Sequence, residues 1–532
     1  MTLRQAAQGS EIDEKLAALL TNVNAVRAIS SAVEGTIGPK GLDTLLVDRF
    51  GDVVITNDGM TILTRMDVNH PAAKMVINTA KAQEEQVGDG TTTATIMAGS
   101  LLSEGVNQVV RGVPVTRVIE GIKIGITKAM ELIENKAVKL QGVDDPLLHR
   151  IALVAGRDNQ DIADLVVSAA KMIGQDKLLD KRFKFSEIIT AKEGAKNEVF
   201  PGIIVDKERL NEEMPEDIDN PVIMVIDDAL EPEEVEEEAL GTEAGFRRYL
   251  ELQEEFKQNI KKVIELGVNC IIIDKGISDI ADEMLTDAKV MVATRVASSD
   301  LRKVSEHTGA RPVKRTGLKR PVPELKKYLG YAEQVYEDEK LECIRVIGGK
   351  GKATATILVG ASTEEVRGER ERICQDAAAS VQAAIRGGIV PGGGALEIAC
   401  AREVEKLRGS QKGMQAYGLL CVVEALKRPL SQIVSNAGFN PLEKVGDVFA
   451  RQNEDNSDSL AVDCETGEIK DMLELGVIDP VLVKTYALKA AMEIACAILR
   501  IDTIIKKKEE GDGGAKGAAQ SQGTVRSQYS IP

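Results

Sequence analysis

The sequence of 532 residues is poor in aromatic side chains, in histidine and in paired cysteines. It has no tryptophan, seven tyrosines and eight phenylalanines, so base-stacking platforms are not expected and the core must be aliphatic. The histidines, His70, His149 and His307, are far apart, which argues against a histidine metal centre or a catalytic triad. The cysteines form no Cys-x-x-Cys pair, which argues against a disulfide framework or a cysteine zinc site.

Positive charge and long apolar runs are also scarce. The chain carries 67 Lys and Arg against 84 Asp and Glu, a net charge of −17, which disfavours binding to nucleic acid or anionic membranes. The N-terminal segment MTLRQAAQGSEIDEK lacks the apolar core of a signal peptide, and no uncharged apolar run approaches the ~20 residues of a membrane span. Together with the cysteine usage, this predicts a reducing, cytoplasmic location.

The order of patterns along the chain predicts an inserted middle domain. Helical spacing of apolar residues occupies residues 11–34, 71–86, 91–110 and 116–135, with a strand pair, LLVDRF and DVVIT, between the first two. Short apolar strands at 222–227, 270–274 and 290–294 then alternate with helices at 246–266, 277–287 and 298–308. This alternation predicts an α/β unit with a parallel sheet. Helices return from residue 363, so one domain is expected to be built from both chain ends.

Two segments are distinguished by composition. Residues 231–238, EPEEVEEE, contain six glutamates, which predicts a solvated stretch. Residues 511–532 are small and polar, which predicts a disordered tail.

The loop Gly88-Asp89-Gly90-Thr91-Thr92-Thr93 precedes a helix and has the chemistry of a phosphate site. Glycines allow close approach of main-chain amides, while the helix N-terminus and three hydroxyl groups favour an anion. An aspartate there fits if it holds Mg²⁺ that bridges phosphate oxygens. The alternative is a Gly-Asp-Gly turn with threonine caps. Because no GxxxxGK[ST] motif occurs, the chain is not a P-loop ATPase.

Two further glycine motifs are consistent with phosphate binding. Thr36-Ile37-Gly38-Pro39-Lys40-Gly41 predicts a rigid turn with exposed amides and one cation, and Gly392-Gly393-Gly394 begins a helix after Pro391. Each alone is equally consistent with an ordinary turn.

Five motifs taken together resemble the chaperonin family. They are TIGPKGLD, VITNDG, GDGTTTAT, PGGGALE and GVIDP, and the resemblance covers about residues 10 to 505. It implies a multidomain α and α/β fold: a helical equatorial ATP-binding domain from both chain ends, a small intermediate hinge domain, and an inserted α/β apical domain. It also implies two stacked rings around a folding chamber.

The resemblance implies the following boundaries. The equatorial domain is expected at 1–140 and 396–532, the intermediate domain at 141–202 and 360–395, and the apical client-binding domain at 203–359. Gly202, in VFPGIIV, and Gly360, in ILVGAS, are identified as hinge glycines.

The resemblance also implies the roles of the site residues. Asp89 is similar to the magnesium ligand, and the phosphate-binding residues would be Thr36, Gly38, Pro39, Gly88, Gly90, Thr91, Thr92 and Thr93. Gly393 and Asp479 match positions around the ribose and adenine, although Asp479 before Pro480 is also consistent with a helix cap. Asp48 and Asp376 resemble the catalytic carboxylates, although an aspartate on a helix is ordinarily solvated surface. Arg157 is the only cation near the position where relatives often carry a phosphate-sensing lysine, and its register leaves that role unassigned.

The connection between the strands at 222–227 and 270–274 is about 40 residues long and resembles the helical protrusion, or built-in lid, of group II chaperonins. We expect it at about 231–258, with Phe246, Tyr249 and Phe256 on its helix, the last packed on the sheet. The divergent protrusion and tail fit the bacterial branch called group III.

The function implied is an ATP-dependent, Mg²⁺-dependent chaperone, in which ATP hydrolysis closes a homo-oligomeric double ring over non-native client proteins without a separate lid cochaperonin. The alternative is an ATP-binding scaffold without a folding cycle. Presence of Asp48, Asp89 and Asp376 together favours the first, because a scaffold does not need all three carboxylates.

Overall fold

The computed structural model describes residues 3–47, 51, 53–234 and 241–503. Asp48, part of the glutamate-rich segment and the predicted disordered tail lie outside the described residues.

The α-helices of the described residues are α1 (Leu3–Val33), α2 (Gly59–Arg65), α3 (Pro71–Val87), α4 (Thr91–Val110), α5 (Val115–Asn135), α6 (Leu147–Ala155), α7 (Gln160–Ile173), α8 (Gln175–Leu179), α9 (Glu243–Glu265), α10 (Asp279–Asp287), α11 (Ser298–Thr308), α12 (Val322–Leu325), α13 (Glu364–Gly387), α14 (Ala395–Ser410), α15 (Gln415–Asn436), α16 (Pro441–Glu454) and α17 (Val481–Leu499). The strands are β1 (Thr44–Val47), β2 (Val53–Thr56), β3 (Ile189–Glu193), β4 (Glu198–Phe200), β5 (Gly202–Val205), β6 (Asp217–Asp219), β7 (Val222–Ile226), β8 (Cys270–Ile273), β9 (Met291–Ala293), β10 (Gly330–Tyr331), β11 (Gln334–Asp338), β12 (Cys343–Ile347), β13 (Thr356–Ala361), β14 (Ile389–Pro391), β15 (Leu460–Val462), β16 (Ile469–Asp471) and β17 (Ile478–Pro480).

The largest hydrophobic core combines the two ends of the chain. It joins α1, α3, α4 and α5 to α14, α15 and α17, and we call it the terminal core. Small residues let these helices approach closely: a Cβ atom added to Gly121 of α5 would lie 2.1 Å from the carbonyl oxygen of Gln415 and 2.7 Å from the Cα of Gly418 in α15. The predicted helical domain built from both chain ends therefore has a physical basis in one shared aliphatic core.

A second core, the connecting core, lies between the terminal core and the insert. It is formed by α6, α7, part of α13 and the sheet β3-β13-β4. In that sheet β13 pairs with β3 in parallel and with β4 in the antiparallel sense.

The insert, residues 202–347, contains two four-stranded sheets. The sheet β10-β7-β8-β9 has the predicted parallel pairing of β7, β8 and β9, with an antiparallel edge strand, β10. Successive residues of β7 alternate between two cores: Met224 and Ile226 face α9 and α10, whereas Ile223 and Val225 face α11 and the second sheet, β5-β12-β11-β6. Both faces are thus covered, as the continuous apolar strands require.

The return from the insert occurs earlier than the predicted boundary at residue 359. Strand β13 begins at Thr356 and pairs with β3, and its Ile357 and Val359 belong to the connecting core. Gly202 lies where the chain passes from the sheet containing β4 to the sheet containing β5, but Gly360 lies inside β13. Strand pairing thus places residues 356–359 in the connecting sheet, and the domain boundaries stay predictions.

Candidate functional site

The loop between α3 and α4 holds Asp89 between two helix ends. Gly88 ends α3 in a left-handed conformation (φ 74°), and Gly90 precedes α4 in the same region (φ 80°). A Cβ atom on Gly88 would lie 2.4 Å from the Cβ of Ala379, so this position requires glycine for its conformation and for close packing of α13. The Gln83 side chain donates to the Asp89 carbonyl oxygen at 2.8 Å.

The Asp89 carboxylate joins the terminal core to α13. One oxygen accepts from the Gly90 amide at 2.5 Å, and the other accepts from the Ser380 hydroxyl at 2.6 Å. Burial raises the pKa of Asp89, the Ser380 hydrogen bond lowers it, and the nearby charge of Asp479 raises it. A buried carboxylate whose pKa is raised in this way would be stabilised by a bound cation.

Asp376 lies one helical turn before Ser380 on α13. Although 24% of its side chain is exposed, burial raises its pKa well above the ordinary value, as do the charges of Asp89, Asp58 and Glu84. The Arg157 guanidinium, 3.9 Å from a carboxylate oxygen of Asp376, acts in the opposite direction. The structure therefore places Asp89 and Asp376 in one electrostatic neighbourhood, which the sequence alone does not show.

Asp58 and Glu84 complete this group, and sequence analysis missed both as site residues. Asp58 caps α2 by accepting from the amides of Met60 and Thr61. Burial, followed by the charges of Asp58 and Asp89, raises the pKa of Glu84 to about 7. Asp58 lies within VITNDG and Glu84 one turn before Gly88, so proximity to the motifs was the available signal.

The four carboxylates suit a hard divalent cation. Carboxylate oxygens are preferred ligands of Mg²⁺, which usually takes one or two from the protein and completes its shell with water and phosphate oxygens. Among the described residues no cluster of three His, Cys, Asp or Glu side chains is close enough to form an all-protein metal cage. The arrangement fits Mg²⁺ that arrives with a phosphate ligand.

Arg157 is held beside this group by other ion pairs. It has a left-handed main chain (φ 53°) and its guanidinium lies 2.5 Å from a carboxylate oxygen of Glu369. Arg372 and the Thr56 hydroxyl contact the other oxygen of Glu369, at 2.8 and 3.4 Å. Arg157 is thus partly neutralised, which leaves the four carboxylates with an excess of negative charge.

The first turn of α4 provides donors facing this charge. Thr91, Thr92 and Thr93 occupy that turn, and their hydroxyl groups donate no hydrogen bond to any described residue. Gly90 provides no side-chain cap. Free hydroxyl groups and uncapped amides at a helix N-terminus favour phosphate.

The turn containing Thr36, Gly38 and Pro39 is fastened to the end of α15. The Asn436 amide donates to the carbonyl oxygens of Glu34 and Ile37 at 3.0 and 2.9 Å. Gly38 has a φ of 87°, and the Thr36 turn packs against α4. The turn is therefore positioned beside the same helix that carries the threonines.

Gly393 and Asp479 lie at a second side of the site, on the paired strands β14 and β17 and the turn after β14. Asp479 is opposite Val390, and a Cβ atom on Gly392 would lie 3.0 Å from the Asp479 carboxyl carbon. Asp479 does not cap α17, since the residue before that helix is Pro480 and there is no side-chain cap.

A buried ion-pair triad supports Asp479, and sequence analysis missed it. The Lys484 ammonium lies 2.8 Å from an Asp479 oxygen and 2.6 Å from a Glu397 oxygen. Lys484 is 7% exposed, and the attraction of both carboxylates outweighs burial and raises its pKa. Glu397 ends the PGGGALE motif, but no local pattern links it to Lys484, 87 positions later in the chain.

All seven cysteines are free thiols. Within the described residues no helix is long and apolar enough to cross a bilayer.

Comparison with known proteins identifies the family. Residues 29–509 match the TCP-1/cpn60 chaperonin family. The chain is 35% identical over 522 residues to a thermosome subunit of Pyrococcus abyssi, and the match covers 93% of each chain. It is 34% identical over 534 residues to thermosome subunit alpha of Thermoplasma acidophilum, and that match covers 97% of this chain and 96% of the relative. It is similar to the crystal structure of a group III chaperonin in the open state, with a TM-score of 0.85, 48% identity, and coverage of 93% of this chain and 100% of that chain. The resemblance found in the motifs and the predicted fold class are confirmed, and the chain belongs to the TCP-1/cpn60 chaperonin family.

Proposed function

We propose that this chaperonin subunit hydrolyses ATP with Mg²⁺ and uses the energy to close its own lid over non-native proteins. Family membership makes the chain an ATP-dependent chaperone subunit of a double ring. To this we add as proposals the roles of individual residues, the Mg²⁺ ion, the built-in lid, a homo-oligomeric ring and a cytoplasmic location. The observation that carries the proposal is the contact of α13 with the Asp89 loop.

The site residues would divide the work as follows. The N-terminus of α4, with Thr91 to Thr93 and the turn at 36–39, would bind the ATP phosphates through amides and hydroxyl groups. Asp89 would hold Mg²⁺, which when bound neutralises charge on the phosphate oxygens. Gly393 and Asp479 would contact the nucleoside, and Lys484 would keep Asp479 in place.

Asp376 would orient the attacking water by accepting its hydrogen bond. Its helix belongs to the connecting core through Cys374, Ala377, Ala378 and Val381, whereas Asp89 lies on the terminal core. A movement of one core against the other therefore changes where Asp376 lies relative to the phosphates. This arrangement can couple hydrolysis to a change in domain position. Asp48, outside the described residues, remains a proposed second catalytic carboxylate.

Exposed apolar surfaces support assembly. In the hairpin β1–β2, Leu45, Val47, Val53 and Ile55 are between 54% and 61% exposed. Several large apolar side chains in one short hairpin are unusual for a free surface and mark a contact between subunits. We assign this contact to neighbouring copies of the chain in a homo-oligomeric ring.

Helix α9 supports the built-in lid. Phe246 and Tyr249 are 54% and 38% exposed, and their rings stack with centroids 6.3 Å apart. Phe256 is buried against the sheet, as predicted. The C-terminal part of the helix is thus packed on the sheet, while the aromatic side chains at its N-terminal end are exposed and can contact other subunits. In this proposal no separate lid cochaperonin is required.

The test measures binding and hydrolysis separately. We expect Asp376→Ala to bind Mg·ATP like the unaltered protein but to hydrolyse it about 10²–10⁴-fold more slowly, because a positioned carboxylate is lost. Asp164→Ala, which removes an exposed carboxylate of α7, is the matched control. Normal turnover in the first variant would exclude Asp376 from catalysis. Binding and turnover without any change of particle size would favour the scaffold alternative.

A further inference from the structure

A cleft lined by basic residues lies between the connecting core and the insert. Its volume is about 350 Å³, and its lining includes six cations, Lys177, Arg182, Lys184, Arg302, Lys303 and Lys352. Two carboxylates, Glu187 and Glu306, also line it. Such a concentration of positive charge stands out in a chain whose net charge is −17.

The six cations come equally from two walls. Lys177, Arg182 and Lys184 lie on and after α8, on the connecting side. Arg302 and Lys303 belong to α11 of the insert, and Lys352 lies on the segment that returns from it. The connecting core and the insert therefore both direct positive charges into the cleft. These charges repel one another unless an anion binds between them.

Internal partners neutralise part of this charge. Lys352 lies 3.1 Å from Glu306, and Lys303 lies 3.7 Å from Asp300. In the described part of the chain, Arg182 and Arg302 have no ion-pair partner, and Lys184 makes no close ion pair but acts at a distance to lower the pKa of Glu84. Arginine presents a planar fork that matches phosphate oxygens, and two such side chains are available on opposite walls.

His307 adds a buried polar group to the lining. It is 3% exposed, and its Nε2 accepts from the Gly349 amide at 3.0 Å, which places the proton of the neutral ring on Nδ1. Nδ1 makes no hydrogen bond with any described residue. Because this Nδ1 atom is shielded from solvent, the ring forms part of the wall behind the basic side chains, and the charged residues of the lining are what face the cleft.

We infer that this cleft binds a small, multiply charged phosphate anion. The residues are distinct from those proposed for the ATP site. The cleft is compact, which suits an oligophosphate better than an extended acidic peptide. An anion that contacts both walls would favour the relative placement of the two bodies found here, since it binds this placement better than one that separates the walls.

The test is lysine footprinting of the assembled protein, with tripolyphosphate as the probe and mass spectrometry as the readout. We expect tripolyphosphate to protect Lys177, Lys184 and Lys303 from acetylation and to leave Lys181, an exposed neighbour outside the cleft, reactive. Protection should persist with excess Mg·ADP. If Mg·ADP alone protects the same lysines, the cleft binds nucleotide phosphates, and the calorimetric comparison below is made with Mg·ADP as the probe. If tripolyphosphate alone protects them, the ligand is free oligophosphate.

A pair of double variants provides the second measurement. We expect R182A/R302A to weaken calorimetric binding of tripolyphosphate, with Mg·ADP saturating, by at least about tenfold. K181A/R311A removes the same charge from exposed positions outside the cleft and should leave binding unchanged. Equal affinity in both variants, equal protection of Lys181, or protection by a polyglutamate peptide but not by tripolyphosphate would overturn the inference.

Discussion

The two sides of the proposed nucleotide site differ in how their negative charge is compensated. On the proposed nucleoside side, Lys484 is buried between Asp479 and Glu397 and offsets one of their two negative charges; we call this the compensated side. On the proposed phosphate side, Arg157, Lys184 and Lys484 act on the carboxylates of the Asp89 group only from a distance, and Arg157 also pairs with Glu369; we call this the uncompensated side. A self-compensated side is rigid before ligand arrives, whereas an uncompensated side is stabilised by the ligand's cation. Under the proposed function, the compensated half would serve as scaffold and the uncompensated half would respond to Mg·ATP.

Removing the cation of the compensated side should lower the free energy of unfolding more than any other change proposed here. Lys484→Met leaves two buried carboxylates without a partner, and we expect the free energy of unfolding to fall by about 3–5 kcal/mol. Thermal and urea unfolding at fixed subunit concentration measure this. Lys489→Met, an exposed lysine of the same helix, is the control. A Lys484→Met/Glu397→Gln double variant should recover part of the lost free energy of unfolding. A Lys484→Met protein as stable as the control would show that the triad does not stabilise the fold.

The uncompensated side should make the stability of the protein depend on pH. The pKa of Glu84 is raised from 4.5 to about 7 in the folded protein, so its contribution to stability is full below about pH 4.5 and is lost as the pH rises through about 7. The shift corresponds to a loss of up to about 3 kcal/mol in nucleotide-free protein. Glu84→Gln, which stays neutral, should flatten this part of the stability profile.

The control for that profile is Glu85→Gln, an exposed neighbour on the same helix. It should keep the pH dependence of the unaltered protein. If Glu84→Gln kept it as well, crowding of carboxylates would not be the source of the dependence.

Weakening the contact between the terminal core and the connecting core should have the smallest effect. Ser380→Ala removes one donor to Asp89, and we expect Mg·ATP affinity to weaken by about tenfold, which is the value of one hydrogen bond to a charged group. Ser435→Ala, at an exposed position of α15, should bind normally. Unchanged affinity in Ser380→Ala would mean that Asp89 is held adequately by the Gly90 amide alone.

Sequence reasoning located the residues that lie in contiguous motifs. The left-handed glycines around Asp89 and the parallel strands of the insert were predictable because turn chemistry and apolar runs are local signals. Phe256 was predicted correctly because helical spacing separates the packed side from the rest. Asp376 could be named only through the family resemblance, since nothing in its helix distinguishes it from a surface aspartate.

The remainder depends on contacts between distant parts of the chain. Glu397 lies in the PGGGALE motif, but its pairing with Lys484 cannot be foreseen before α14 and α17 pack together. The start of the return at Thr356 depends on pairing with β3, and a strand pattern does not specify its partner. Arg157 could not be assigned because its left-handed main chain, rather than its position in the sequence, determines what it reaches.

The shared core of the two chain ends has a consequence for synthesis on the ribosome. The side chain of Gln83 donates to the carbonyl oxygen of Val483, 400 residues later. At about 5–20 residues per second, the early helices wait roughly 20–80 s for their partners. During that interval the apolar faces of α1, α3, α4 and α5 lack the later helices that cover them, whereas the insert can complete its own two sheets. A subunit of this family is therefore itself, while it is being made, an aggregation-prone client.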